Sequence, residues 1–286
     1  MSLWQRLVRG VRKVQARQDW SAFAGADWLE RIMDVEVTDD FHAKQGRSTG
    51  RWILHRGERR LAVYLKRHYR LPRLHGLLAT LWPGRSWSPA LQEAQHLEWA
   101  QRQGLPVPTV VAAGEAIGPW GRLQSFLAVE ELTDMLPLHQ AIPAAEARLE
   151  PAAFARWKRG LIREMARLTR ELHLRCCFHK DLYLCHFYIP RADTLGEPAD
   201  WHGRMHLIDL HRLGRHRLTW RLWQVKDLAE LLYSSDVAGV TGRDRLRFWR
   251  EYMGSDRRLG AWWLQRVVLL KWRRYRRHNE KRKIVP

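Results

Sequence analysis

The sequence predicts a two-lobed α+β architecture, on three observations. Up to Leu132 the chain holds short strand-like runs and one strong helix. After Leu132 the texture turns helical, led by a long amphipathic stretch at 151–175. Two carboxylates then stand in distinct local settings, Asp181 in a polar loop and Asp209 directly after the apolar pair Leu207-Ile208. Strands first and helices later is the order of an α+β chain with a cleft between its lobes.

Residues 1–34 form a basic amphipathic segment. Trp4, Leu7, Val8, Val11 and Val14 recur at helical spacing within residues 3–17, and Arg6, Arg9, Arg12, Lys13 and Arg17 fall mostly between them. Such a helix suits a bilayer interface, and equally a terminal helix packed on its own domain. Residues 35–131 form the N-lobe. GRWILH (50–55) and RLAVYLK (60–66) read as strands joined by a turn at Gly57. Leu61, Val63 and Leu65 alternate with Ala62, Tyr64 and Lys66, which sets Lys66 opposite the aliphatic face. Pro89 opens a helix that stops at Gly104 and carries Glu93 in its first turns. Residues 107–113 and 123–130 read as strands, the second ending in Glu130-Glu131.

Residues 132–286 form the C-lobe. Its long helix begins at Pro151, with Phe154, Trp157, Leu161, Met165, Leu168 and Leu172 as the apolar stripe. The loop HKDLYLCHF follows at 179–187. Residues 190–204 are rich in turn formers and connect strands expected at 186–189 and 205–209. Helices are expected near 223–234, 243–253 and 258–278, the last of them basic.

A chain of 286 residues can bury a sizeable core. Its formal net charge of +20 directs it to anionic partners, whether nucleic acid, an anionic membrane surface, a phosphorylated substrate or an acidic protein. Cys176, Cys177 and Cys185 are an odd count with two adjacent, a poor disulfide framework that points to a reducing compartment. No apolar run reaches the roughly 18 residues that span a bilayer, and the N-terminus lacks the apolar core of a secretory signal. The expectation is a soluble or peripheral protein on the cytoplasmic side. His173, Cys176, Cys177, His179, Cys185 and His186 invite a zinc reading. They lack the paired C-x-x-C units of structural zinc sites, so buried free cysteines are the favoured reading.

A loop carboxylate and a strand-end carboxylate suit phosphoryl transfer, one accepting the proton of an attacking hydroxyl and the other holding magnesium. Lys66 at a strand end, Glu93 on the next helix, Asp181 in a loop after a long helix and Asp209 after a short strand follow the order of the protein-kinase-like fold. That implies a small β-rich N-lobe and a larger helical C-lobe. Glu98 is the rival to Glu93 as the partner of Lys66. HKD at 179–181 matches the HRD pattern. His186 stands where protein kinases place an asparagine, and DLH at 209–211 where they have DFG.

Those departures carry a sharper resemblance. HKDLYLCHF with LIDLHR at 207–212 closely resembles the lipopolysaccharide core heptose kinase family, whose members carry an HxDxxxxHF loop and a DLHR segment. The likeness extends to KDLAELLYSS at 226–235 and RDRLRFWREY at 243–252, and covers the chain roughly from residue 44 onward. It implies phosphorylation of a heptose of the lipopolysaccharide inner core with ATP and Mg2+, peripherally on the cytoplasmic face of the inner membrane. Close relatives act on the neighbouring 3-deoxy-D-manno-octulosonic acid.

The resemblance implies Asp181 as catalytic base and Asp209 as magnesium ligand. His186 becomes an orienting group, because imidazole is a softer donor than magnesium prefers. Lys66 would reach the nucleotide phosphates with Glu93 holding it, and Asp227 would brace the catalytic loop from behind. Gly46, Gly50 and Glu130 complete the nucleotide side, with Lys44, Arg47 and Ser48 assisting. KQGRSTGR at 44–51 has two glycines where protein-kinase loops have three. Trp201 is the candidate sugar contact. Arg212, Arg215, Arg217 and Arg221 either pair with acidic sugars or are surface charge. The expected partners are the core oligosaccharide, an anionic membrane surface and an acidic protein, with the basic run from Arg266 to Lys283 as a docking surface. Nucleic acid is disfavoured. The competing class is a non-catalytic kinase-like scaffold that binds anionic membrane or nucleic acid.

Overall fold

Antiparallel pairing of five strands organises the first half of the chain in the computed structural model, which describes residues 2–38, 46–254, 260 and 262–282. Lys44 and Lys283 lie outside the described residues. The chain divides between Leu132 and Thr133 into two compact units.

In the first unit the strands are β1 (Val11–Ala16), β2 (Arg47–Arg56), β3 (Arg59–His68), β4 (Val110–Ile117) and β5 (Leu123–Glu130), in the spatial order β1-β4-β5-β3-β2. The helices are α1 (Leu3–Arg9), α2 (Trp20–Ala24), α3 (Trp28–Arg31), α4 (Arg73–Leu81) and α5 (Pro89–Arg102). The β2–β3 hairpin turns at Gly57 with φ +56°, a conformation glycine adopts without steric penalty. Leu61, Val63 and Leu65 pack with Trp20, Trp28 and Ile32 into one cluster. The alternation of β3 turns Lys66 away from them, toward α5.

The helix expected over 3–17 ends early. Gly10, at φ +76°, closes α1, and a Cβ there would lie 2.5 Å from the Ile117 carbonyl oxygen. The chain then runs along β4, with Val11 opposite Ile117. Val8, Val11 and Val14 do fit a helical stripe. Pairing with an open sheet edge satisfies the backbone of six residues instead, and that tertiary gain overrides the local pattern. Helix α4 was not legible in the sequence.

The second unit holds α6 (Leu138–Glu146), α7 (Pro151–Leu174), α8 (Trp220–Ser234), α9 (Gly242–Met253) and α10 (Leu264–Arg282). Its strands are short: β6 (Met135–Pro137), β7 (Cys177–Phe178), β8 (Phe187–Pro190), β9 (His206–Leu207) and β10 (Gly214–Arg215). β6, β8 and β9 form one antiparallel sheet, and β7 pairs with β10. The expected stripe of α7 is buried along its length. The three cysteines are free, and burial pushes the Cys177 thiol up to about 11, which keeps it protonated and unreactive.

Trp201 corrects an expectation. It is only 7% exposed, packs edge-on against Trp157 at 5.5 Å and lies over the bare Cα of Gly160. Its indole fills core and offers no open face to a sugar. A Cβ at Gly160 would stand 2.1 Å from the Trp201 ring. Gly160→Ala should therefore destabilise the protein by about 1–3 kcal/mol through overpacking. Urea unfolding measures this, and an unchanged midpoint would refute the contact.

Candidate active site

Lys66 lies on the inner strand β3, between Thr49 of β2 and Leu127 of β5. Its Nζ donates to Glu93 Oε1 at 2.7 Å. Glu93 is buried on α5, whose start is firmly set. Ser88 caps the helix, and the buried Glu115 accepts from Ser88 N at 3.0 Å, Trp87 N at 3.2 Å and Lys13 Nζ at 2.9 Å. A buried carboxylate is costly without a cation, so Glu93 and Lys66 hold each other. Glu98, the rival, instead accepts from Gln15 Nε2 at 2.6 Å.

The glycine segment is tied into the sheet. Gly46 has φ +73°, and its carbonyl accepts from Tyr69 N at 2.8 Å. Gly50 is a packing glycine, because a Cβ there would stand 2.3 Å from Val37 Cγ2. Ser48 is buried and its hydroxyl accepts from Arg67 Nε at 3.0 Å. Arg47 is exposed. Glu130 ends β5, and its carboxylate accepts from Arg17 Nη1 at 2.8 Å.

In the second unit the loop is built around Asp227, fully buried on α8. Its carboxylate accepts from His179 N at 2.9 Å and Lys180 N at 2.8 Å, with His173 Nε2 at 3.3 Å. Lys180 has φ +67°, an uncommon value for a residue with a Cβ, held by those two bonds. His179 is buried, and its Nε2 donates to the Ile208 carbonyl at 2.9 Å. Burial lowers the His179 pKa, with His186 nearby adding to the effect, so the ring is neutral. The loop is thus fastened to the residue just before Asp209. The His179 ring also stacks on His186 at 5.3 Å.

Asp209 sits in the left-handed region, φ +62° and ψ +51°. Aspartate tolerates that region better than most residues, and the turn aims the carboxylate at two histidines. His211 Nδ1 lies 3.0 Å from Oδ1, and His186 Nε2 3.9 Å from Oδ2. His186 Nδ1 donates to the Asp181 carbonyl at 2.7 Å. Asp209 supplies a hard carboxylate oxygen, the donor type that magnesium prefers, so this residue fits such an ion. Among the described residues no group of three or more His, Cys, Asp and Glu side chains is arranged to hold a metal alone. A magnesium ion at Asp209 would therefore complete its shell from substrate phosphates and water, as that ion commonly does.

Arg212 Nη1 donates to both oxygens of the Asp181 carboxylate, at 2.7 and 2.9 Å. Lys226 Nζ stands 3.6 Å from Asp181 Oδ1 and donates to the Lys180 carbonyl and, at 2.5 Å, to Glu230 Oε1. The sequence reading left Arg212 undecided and missed Lys226 and Glu230. Their spacing on α8 looks like an ordinary i, i+4 surface pair, and only the fold turns it inward. The cluster holds one carboxylate able to orient a hydroxyl and two cations able to counter phosphoryl charge. Burial pushes the Glu230 carboxyl from its ordinary 4.5 up to about 7, with Lys226 opposing. The folded state thus favours the protonated acid. Its destabilising effect begins as pH rises past 4.5 and is complete above about 7. Glu230→Gln should flatten the fall in urea midpoint from about pH 5 to about pH 8, and identical profiles would refute the shift.

The chain matches the lipopolysaccharide kinase (Kdo/WaaP) family over residues 40–252. It is 35% identical over 163 residues to lipopolysaccharide core heptose(I) kinase WaaP of Pseudomonas aeruginosa, covering 57% of this chain and 59% of that protein. With the Escherichia coli protein of the same name it shares 34% identity over 134 residues, 47% of this chain and 48% of that protein. The chain thus spans about half to three fifths of the curated relatives it matches. A solved structure of WaaP in complex with acyl carrier protein superposes with a TM-score of 0.67 at 27% identity, covering 92% of this chain and 97% of that one. Sheet first and helices second, with lysine, glutamate and two aspartates in kinase order, is the α+β protein-kinase-like fold that the sequence predicts. By its match across residues 40–252, the chain belongs to the lipopolysaccharide kinase (Kdo/WaaP) family.

Proposed function

We propose that this protein is an ATP-dependent kinase that phosphorylates a sugar hydroxyl, a heptose, of the lipopolysaccharide inner core. The observation that carries this is Asp181, fixed by the Asp227-braced loop, flanked by Arg212 and Lys226 and followed by Asp209. Asp181 accepts the hydrogen bond of the acceptor hydroxyl, turns its oxygen toward the γ-phosphoryl group and takes the proton as the new P–O bond forms and the bond from the γ-phosphorus to the bridging oxygen breaks, with ADP as the leaving group. Lys66, aimed by Glu93, steadies the nucleotide phosphates. Arg212 counters the charge that builds on the transferred group. Asp209 would hold Mg2+, which when bound would neutralise phosphate charge, and His186 orients the loop through its bond to the Asp181 carbonyl. Gly46 contributes backbone to the nucleotide side, and Glu130 the strand end.

Partners follow from charge and family. A net charge of +20 suits a phosphorylated acceptor and an acidic protein, and acyl carrier protein, bound in the solved WaaP structure, is the candidate for this chain. No described helix is long and apolar enough to cross a membrane. We place the protein as a peripheral one at the cytoplasmic face of the inner membrane, where a lipid-anchored core would be met.

Asp181→Asn should lower phosphate transfer to purified core oligosaccharide by about a hundred-fold or more while MgATP binding persists by calorimetry. Normal turnover in that variant would sink the assignment of the base. Lys66→Met should raise the KM for ATP, and chelation of divalent metal should abolish turnover until magnesium is restored. Mass spectrometry of core oligosaccharide from cells with and without the protein should show the missing phosphate and its position.

A further inference from the structure

Helix α4 is amphipathic the wrong way round for a helix that borders water. Leu74, Leu77 and Leu81 recur at i, i+3 and i+7 and point outward, Leu74 with 65% of its surface exposed. The inward face is made of small residues, Gly76, Ala79 and Thr80. Gly76 lets the helix lie directly on the turn at 118–122, since a Cβ there would come 2.0 Å from the Gly121 carbonyl oxygen. The Thr80 hydroxyl is spent on the Gly76 carbonyl at 2.8 Å. A helix at a water boundary normally buries its leucines and shows its small and polar side chains.

The leucines have company. Trp82 follows the helix at 59% exposure, and Trp120, on the turn that α4 rests on, is 60% exposed. Trp4 of α1 is 67% exposed and meets the Trp120 ring edge-on at 6.1 Å, while Trp120 N donates to the Leu7 carbonyl at 3.0 Å. Among the described residues, every large apolar side chain exposed in the first unit belongs to α1, β1, α4 or these two tryptophans. Scattered exposed leucines are ordinary, but a contiguous set drawn from three segments marks an interaction surface.

Charge decides the occupant. Segments 2–18, 69–92 and 116–129 contain no Asp or Glu, while Arg9, Arg70, Arg73, Arg85 and Arg122 are exposed within them. An apolar stripe flanked by tryptophan and arginine, with no carboxylate in the contributing segments, matches an anionic bilayer. Leucines enter the acyl boundary, indoles sit at headgroup depth and guanidiniums meet lipid phosphate. We infer that α1, α4 and the turn at 118–122 form a docking face for an anionic lipid bilayer. The inference stands on this surface alone and is independent of the kinase assignment, which asks for membrane proximity without naming a face.

The test is co-sedimentation of the full chain with phosphatidylethanolamine–phosphatidylglycerol vesicles and with phosphatidylcholine vesicles. Wild-type protein should prefer the anionic vesicles. Leu74→Ser/Leu77→Ser/Leu81→Ser should weaken that binding by about ten-fold or more, with an unchanged thermal melt. Arg73→Gln/Arg85→Gln/Arg122→Gln should remove the preference for phosphatidylglycerol. Should the leucine variant misfold, quenching of wild-type tryptophan fluorescence by bilayers of brominated lipid, diminished in Trp82→Phe/Trp120→Phe, makes the same decision. Vesicle binding untouched by the leucine substitutions overturns the proposal. So does a wild-type dimer that those substitutions split, since the occupant would then be a second copy of the chain.

Discussion

Asp227 is sealed from solvent, and its carboxylate is met by donors that its own fold supplies. Two of those donors are consecutive backbone amides, of His179 and Lys180, and a third group is the ring of His173. A buried carboxylate deprived of such partners costs several kcal/mol, so the loop has one shape that satisfies the charge. That shape forces Lys180 into the left-handed region and sets the direction in which the chain leaves toward Asp181. His179 then passes the constraint on by holding the Ile208 carbonyl, next to Asp209. The two carboxylates assigned to chemistry are therefore positioned from one buried point on α8.

Cations are distributed around these carboxylates with the same economy. Glu93 is buried and meets one ammonium, Lys66. Asp181 meets one guanidinium from the DLHR segment and lies near one ammonium from α8. Glu230 sits behind that ammonium and is buried deeply enough to resist ionisation. In a chain with +20 net charge, Glu93, Asp181 and Glu230 each stand against a specific cation.

Much of the second unit was legible because its signals are local. The stripe of α7, the HKD loop and the DLHR segment are read within a few residues, and a resemblance in spaced motifs tied them together. Lys66 and Glu93 were legible for the same reason, a strand alternation followed by a proline-opened helix. The misreadings are all tertiary. Residues 11–16 became a strand because β4 offered an open edge, which no window of sequence displays. Trp201 looked like a loop tryptophan until Gly160, 41 positions earlier, supplied the hollow that buries it. Helix α4 escaped notice because its leucine stripe is only three residues long and its inner face is nearly featureless. Arg212, Lys226 and Glu230 are charges whose meaning depends wholly on what they face.

Lys226 and Asp227 are neighbours on α8, and the peptide that joins them links two duties. One side chain shapes the loop from inside, and the next reaches past it toward the carboxylate the loop presents. No helical unwinding can disturb one and spare the other, because their backbone hydrogen bonds belong to the same turn. The shape of the loop and the charge beside Asp181 are thereby tied to one short piece of helix. Unwinding that turn would release the loop amides and the ammonium near Asp181 together.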